Sequence, residues 1–228
     1  MSDSCECNFG QRKVLMVVTS ASELKDNHPT GVWFEEFAVP YTALVHNRFQ
    51  VTVASPKGGE APVDEASKSF FNDIKWNKSK QALADTQTLD TINFTQYEGL
   101  IIPGGHGPLV DLYNNEALGV IINDFAKRGK LIAAICHGPA GLLSAKEDGI
   151  PFVNGRKLTC FTNEEEIYAG KESVIPFFLE DALRDAGAVF TQGVIGEVNV
   201  IEDGNLITAQ NYQSAEAFTK AVLKFLHV

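Results

Sequence analysis

No apolar run in the 228 residues approaches the roughly 18 needed to span a bilayer, so a membrane-spanning helix is not expected. Nor is there a cluster of bases: 19 Lys and Arg are scattered among 29 Asp and Glu, for a net charge of −10. A phosphate backbone would be repelled, which excludes nucleic acid as the natural partner. The start, Met1 to Cys7, is acidic and polar and lacks the basic-then-apolar pattern of an export signal. Cysteine is scarce too, at positions 5, 7, 136 and 160, which is no disulfide framework and points to reducing cytoplasm. Cys5 and Cys7 have no neighbouring Cys or His to complete a zinc shell, so no metal is expected. Residues 1–12 read as a flexible N-terminal tail, and 13–228 as a single domain without repeat or linker.

What is present are short, nearly continuous apolar runs at 13–20, 50–55, 99–103 and 130–136, each texture suited to a strand buried on both faces. Helical periodicity fills gaps between them, over 31–46 and 115–128, with further helices expected over 173–186 and 213–226. Strands alternating with helices give an α/β fold, a three-layer sandwich with a mostly parallel sheet. Val198–Ile201 and Leu206–Ala209, joined across Glu202-Asp203-Gly204-Asn205, predict a small C-terminal hairpin on that sheet. Further short strands are read at Ala188–Thr191 and Lys157–Phe161, the latter holding Cys160 as core. Between Pro56 and Tyr97 the texture turns polar and irregular, as in a surface excursion that serves as a lid or interface.

The chemistry concentrates at Ala134-Ile135-Cys136-His137-Gly138-Pro139-Ala140, where a buried strand meets small residues and a proline suited to a first helical turn. Cys136 then sits at a strand-to-helix elbow, where the helix N-terminus is expected to lower the thiol pKa and make a nucleophile beside His137. Pro103-Gly104-Gly105-His106-Gly107 follows another strand; the amides of Gly104, Gly105 and His137 are oxyanion candidates, and His106 a pocket residue or an exposed one. On a helical wheel from Val32, Glu36 falls at about 40°, inside the apolar arc, and Glu35 at about 300° on the solvated side. An inward carboxyl has a raised pKa and suits a proton shuttle. Pro40 removes the N–H that would bond the Glu36 carbonyl, so a kink is expected there. Finally, Glu164-Glu165-Glu166 offers an acceptor for His137; spacing does not choose among the three, and a helix capped by Thr162 or Asn163 accounts for two.

The elbow at 134–140, the Pro-Gly-Gly-His-Gly at 103–107 and Thr30-Gly31-Val32-Trp33-Phe34-Glu35-Glu36 together resemble the PfpI/parkinsonism-associated deglycase superfamily. Cys160-Phe161-Thr162 and Asp203-Gly204-Asn205-Leu206-Ile207-Thr208 with Ala215 are most similar to its thirty-one-kilodalton heat-shock-protein branch. The resemblance implies the flavodoxin-like, class I glutamine amidotransferase-like fold. It also implies Cys136 as nucleophile, His137 as its partner, Glu36 as the carboxyl beside the sulfur and Glu166 as the acid orienting His137. It further implies a glutathione-independent glyoxalase of the glyoxalase III type, converting methylglyoxal and similar 2-oxoaldehydes to lactate through a Cys136 hemithioacetal. No cofactor is implied; a homodimer is, with deglycase or holding-chaperone activity and unfolded-protein clients alongside.

Three other readings compete. A glutaminase expects a Gly before the elbow cysteine and a His-x-Glu pair, and the chain has neither. An intracellular cysteine peptidase is the second; an open groove would argue for it, and a narrow pocket closed by Trp33 and the long loop would argue against it. A redox-sensing stress chaperone would oxidise Cys136 rather than turn over substrate.

Overall fold

The computed structural model describes residues 11–71 and 73–228, the side chain of Phe70 excepted; Cys5 and Cys7 of the expected tail lie outside the described residues. The chain through residue 135 lays down β1 (Lys13–Val17), α1 (Phe34–His46), β2 (Gln50–Ser55), α2 (Asn77–Ala84), β3 (Gln87–Thr88), β4 (Gly99–Ile102), the single turn α3 (Pro108–Asp111), α4 (Glu116–Lys127) and β5 (Leu131–Ile135). The remainder adds the short pairing strands β6 (Lys146–Glu147) with β7 (Ile150–Pro151) and β8 (Lys157–Leu158) with β9 (Val189–Phe190). It also carries α5 (Asn163–Ala169), α6 (Leu179–Asp185), β10 (Val200–Asp203), β11 (Leu206–Ala209) and α7 (Ala215–Phe225).

Seven strands form one sheet in the order β10-β11-β5-β4-β1-β2-β3, parallel except for the β10–β11 hairpin. Alternate side chains feed opposite faces, as the two-residue period of a strand requires. Leu15, Val17, Leu100, Ile102, Ile132 and Ala134 pack under α4 and α6. Val14, Met16, Ile101, Ala133 and Ile135 pack under α1 and α7 with Phe34, Phe37, Phe218 and Val222. Both faces are therefore covered, and the continuous apolar runs are explained by double burial.

Several boundaries move for local physical reasons. The expected helix over 173–186 is α6 alone, because Pro176 disfavours helical backbone at Ile175 and cannot extend a helix through itself. The helix expected from 31 starts at Phe34, since Gly31 and Val32 are drawn into backbone contact with Pro62 and Asp64, and Val32 bridges Val63. The segment 157–161 is a strand only through Leu158; Cys160 lies beyond it, fully buried as core. β8 and β9 pair with each other, outside the main sheet. The 56–97 excursion is more ordered than a surface lid: it contributes α2 and the edge strand β3, and its Leu83 and Leu89 are buried in the core.

Candidate active site

Strands β1, β4 and β5 run side by side in parallel, so their carboxyl ends open on one edge, where ligands of open α/β sheets bind. At the end of β5, Cys136 takes φ +60°, a left-handed conformation that a β-carbon resists. The turn is held from both sides: the Cys136 N–H donates to the Ala209 carbonyl and its own carbonyl accepts from the Phe161 N–H, each at 2.9 Å. Only a residue without a side chain fits two positions on, since a β-carbon on Gly138 would lie 2.0 Å from the Ile102 carbonyl oxygen. Pro139 opens the seven-residue 3-10 helix 138–144 that follows.

From β4, Gly104 and Gly105 arrive against this elbow. A β-carbon on Gly104 would sit 2.8 Å from that of Cys136, and one on Gly105, at φ +86°, would strike the Gly31 carbonyl oxygen at 2.1 Å. The Gly105 N–H is directed at the Cys136 sulfur. The Gly104 N–H, however, donates to Glu36 Oε2 at 3.0 Å, so it is committed to the carboxyl and is not an oxyanion donor. The oxyanion candidates that remain are the amides of Gly105 and His137.

Glu36 reaches the sulfur from the buried face of α1, fully excluded from solvent. Burial pushes its pKa up to about 8 against the smaller opposing pull of the Cys136 and Gly104 donors. Its second oxygen, Oε1, is buried without a conventional partner. A neutral carboxyl resolves this arrangement: Oε2 accepts from Gly104, and Oε1 carries a proton available to sulfur or substrate. Glu35 departs from the wheel, since it is half-buried rather than solvated and burial raises its pKa.

Cys136 itself is 5% exposed, and its thiol is held well above the ordinary value by burial first and by Glu36 second. The expected thiolate of the resting site is thus corrected. The element after the elbow is a short 3-10 turn, and its dipole does not offset burial beside an acid.

His137 Nδ1 stands 3.2 Å from Cys136 Sγ, and its Nε2 stands 2.5 Å from Glu166 Oε1. Of the three glutamates, Glu166 is the one that meets the histidine. Glu165 completes a capping box with Thr162 at the start of α5 and accepts from Asn211, and Glu164 faces solvent. Burial opposes the Glu166 charge, yet His137 and His106 override it and bring its pKa down to about 2. Burial, then His106, lowers the His137 pKa more than Glu166 raises it. The stable state is therefore an ionised Glu166 accepting Nε2–H from neutral His137, which leaves the Nδ1 lone pair facing the thiol.

His106 is buried rather than exposed; its Nε2 is 3.0 Å from Glu166 Oε2 and its ring 4.1 Å from that of His137. His106, His137 and Glu166 offer ligand atoms within 4.8 Å of one another, as a metal site would, but here each nitrogen is engaged with the carboxylate. Trp33 stacks on Tyr212 at 5.1 Å and walls a cavity of about 310 Å³ that contains Cys136, His137 and Glu36. Tyr212, Tyr168 and Ile195 complete that wall and had no motif to announce them.

The profile of the DJ-1/PfpI family matches residues 30–225. The glutathione-independent glyoxalase HSP31 of Saccharomyces cerevisiae is 30% identical over 224 residues, covering 90% of this chain and 94% of that protein. The human glutamine amidotransferase-like class 1 domain-containing protein 1 is 30% identical over 205 residues, covering 88% of this chain and 87% of that one. Among solved structures, the 24 kDa rapid encystment protein of Francisella tularensis superposes with a TM-score of 0.88 at 33% identity, over 95% of this chain and 99% of that one. Glyoxalase III of Candida albicans superposes with a TM-score of 0.80 at 24% identity, over 93% and 96% of the two chains, which extends the agreement in fold. On the family profile and on relatives 30% identical over most of both chains, this chain belongs to the DJ-1/PfpI family.

Proposed function

We propose that the chain is a glyoxalase acting on small 2-oxoaldehydes without glutathione, with Cys136 as nucleophile. The observation that carries this reading is the pairing of a buried thiol with two differently prepared groups: His137, whose Nδ1 is free to accept at 3.2 Å, and Glu36, neutral up to about pH 8. The yeast and Candida relatives, named as glyoxalases, support the same class.

In the mechanism, the thiol proton passes to His137 as the sulfur–carbon bond forms at the aldehyde, and returns to the aldehyde oxygen to give a neutral hemithioacetal. The amides of Gly105 and His137 hold the oxygen while it is negative. His137 then removes the proton on the first carbon as Glu36 protonates the oxygen on the second, giving an enediol. The imidazolium protonates the second carbon and the Glu36 carboxylate takes the proton of the first hydroxyl. The resulting thioester is hydrolysed by water to lactate and free Cys136. Glu166 positions His137 throughout, as the acid of a triad does.

The wall formed by Trp33 and Tyr212 favours a small molecule over a polypeptide, and the thiol held above its usual pKa disfavours oxidation as the main event. The test is lactate formation from methylglyoxal by the purified protein without glutathione or added metal. Wild type is expected to turn over; Cys136→Ala and Glu36→Gln are expected to lose at least a hundredfold with circular dichroism unchanged. No lactate from fully reduced wild type overturns the assignment. The homodimer belongs to the same proposal: Ile167 and Val194 are exposed apolar side chains able to form its face, and light scattering at the dimer mass checks it.

A further inference from the structure

Methylglyoxal has five heavy atoms and needs on the order of 150 Å³ even at a water-like share of volume, so about 310 Å³ leaves half the cavity unused. The unused part has a definite chemistry. The cavity's lining is largely aromatic or apolar, from Trp33, Tyr168, Tyr212 and Ile195; the Glu165 carboxylate that also reaches it is held by Thr162 and Asn211, and Lys171 is its one lysine or arginine among the described residues. Lys171 follows the left-handed Gly170 that ends α5, which turns the chain back toward the site. Its ammonium makes no ion pair among the described residues. Its partner is instead the imidazole nitrogen His28 Nε2, at 2.6 Å, which fixes the side chain without a carboxylate. In a chain of net charge −10, an uncompensated cation in an apolar wall is a place for an anion.

We propose that Lys171, held by His28, is the outer subsite for a carboxylate, and that the preferred substrates are 2-oxoaldehydes with a flat or apolar tail ending in that group. This rests on the glyoxalase reading of the inner site. A carboxylate fits better than a phosphate, because one ammonium balances one negative charge and would leave a dianion half-compensated in an apolar pocket. The aromatic walls take the tail, and the ammonium fixes the end opposite the reacting aldehyde, which is how remote binding energy orients a reacting carbon.

The experiment compares 4-carboxyphenylglyoxal with phenylglyoxal, a matched pair that differs in the charge, in wild type, Lys171→Met and Lys171→Arg. Wild type is expected to prefer the carboxylate at least tenfold in kcat/KM, through KM. Lys171→Met should lose at least fivefold of that preference and Lys171→Arg should keep most of it. A preference absent in wild type, or unchanged in Lys171→Met, overturns the subsite, as does an equal loss on both substrates, which marks a structural role. Protection of Cys136 from iodoacetamide by 4-hydroxymethylbenzoate, relative to benzyl alcohol, is read by peptide mass spectrometry in the same proteins and does not need turnover. Charge-dependent protection that vanishes in Lys171→Met, without turnover of either substrate, keeps the subsite and sinks the glyoxalase reading; no such protection sinks the subsite.

Discussion

At the level of single side chains, the site separates two acids by environment. Glu36 binds a proton in the folded state up to about pH 8, whereas the unfolded chain gives it up near 4.5. Stability therefore falls as pH rises between those values, by roughly 5 kcal/mol in total at about 1.4 kcal/mol per unit. Glu36→Gln keeps the Gly104 hydrogen bond and removes the titration, so it should be inactive yet gain several kcal/mol relative to wild type on going from pH 5 to pH 8.5. Urea midpoints at the two pH values decide this, and parallel profiles would contradict it. Glu166 works in the opposite direction. Its folded pKa of about 2 contributes about 3 kcal/mol that is complete above pH 4.5 and lost as pH falls toward 2. Glu166→Gln should flatten the acid limb of stability and lower kcat/KM on the order of a hundredfold by releasing the His137 tautomer. A kcat/KM within threefold of wild type would remove Glu166 from the mechanism.

At the level of elements, α1 carries Glu36 but lacks a capping side chain of its own, because Trp33 stands at its N-cap. The Phe34 N–H is instead satisfied by Ser67 Oγ at 3.0 Å, from the fully buried serine of the 56–97 excursion. Ser67→Ala should cost about 1 kcal/mol, as lost caps do, read as a lower urea midpoint at unchanged m-value. Activity should fall too, since the first turn of α1 sets the Glu36 carboxyl; full activity would show the cap to be irrelevant to the site. This long-range cap explains why the excursion looked featureless in sequence. Its order comes from partners such as Phe34 and Pro62–Val32 that are distant in the chain, and composition does not report such pairings. The double-sided burial of β1, β4 and β5, by contrast, is local information, and their apolar runs carried it. The wheel placed Glu36 inward for the same reason, whereas the half-burial of Glu35, near enough to Glu216 of α7 to feel its charge, comes from tertiary neighbours that no wheel contains.

Across the whole molecule, the Cys136 elbow was legible because small residues and a proline leave a mark, but the thiol's pKa was not. That quantity depends on how deeply Cys136 is buried and on which carboxyl lies beside it, both set by packing. The choice of Glu166 was equally a matter of helix phase after the Thr162 cap rather than of spacing to His137. The doubly covered centre of the sheet also sets where the protein opens. Amide exchange is expected to be slowest in β1, β4 and β5, whose residues are almost all fully buried, and faster at the edge strands β3 and β10. Comparable protection at edge and centre would argue against this layering.

The bond from the Cys136 N–H to the Ala209 carbonyl has a consequence for how the protein is made. Synthesis proceeds from the N-terminus, so Glu36, the glycine turn, Cys136 and Glu166 all exist before the strand that fixes the elbow has been translated. Until β11 slots beside β5, the elbow lacks one of its two backbone bonds, only the Phe161 N–H being present to hold Cys136 at positive φ. The left-handed elbow, with its thiol enclosed beside Glu36, is thereby completed only when almost the entire α/β layer has been laid down, and until then Cys136 is a solvated thiol without its proton-transfer partners in place.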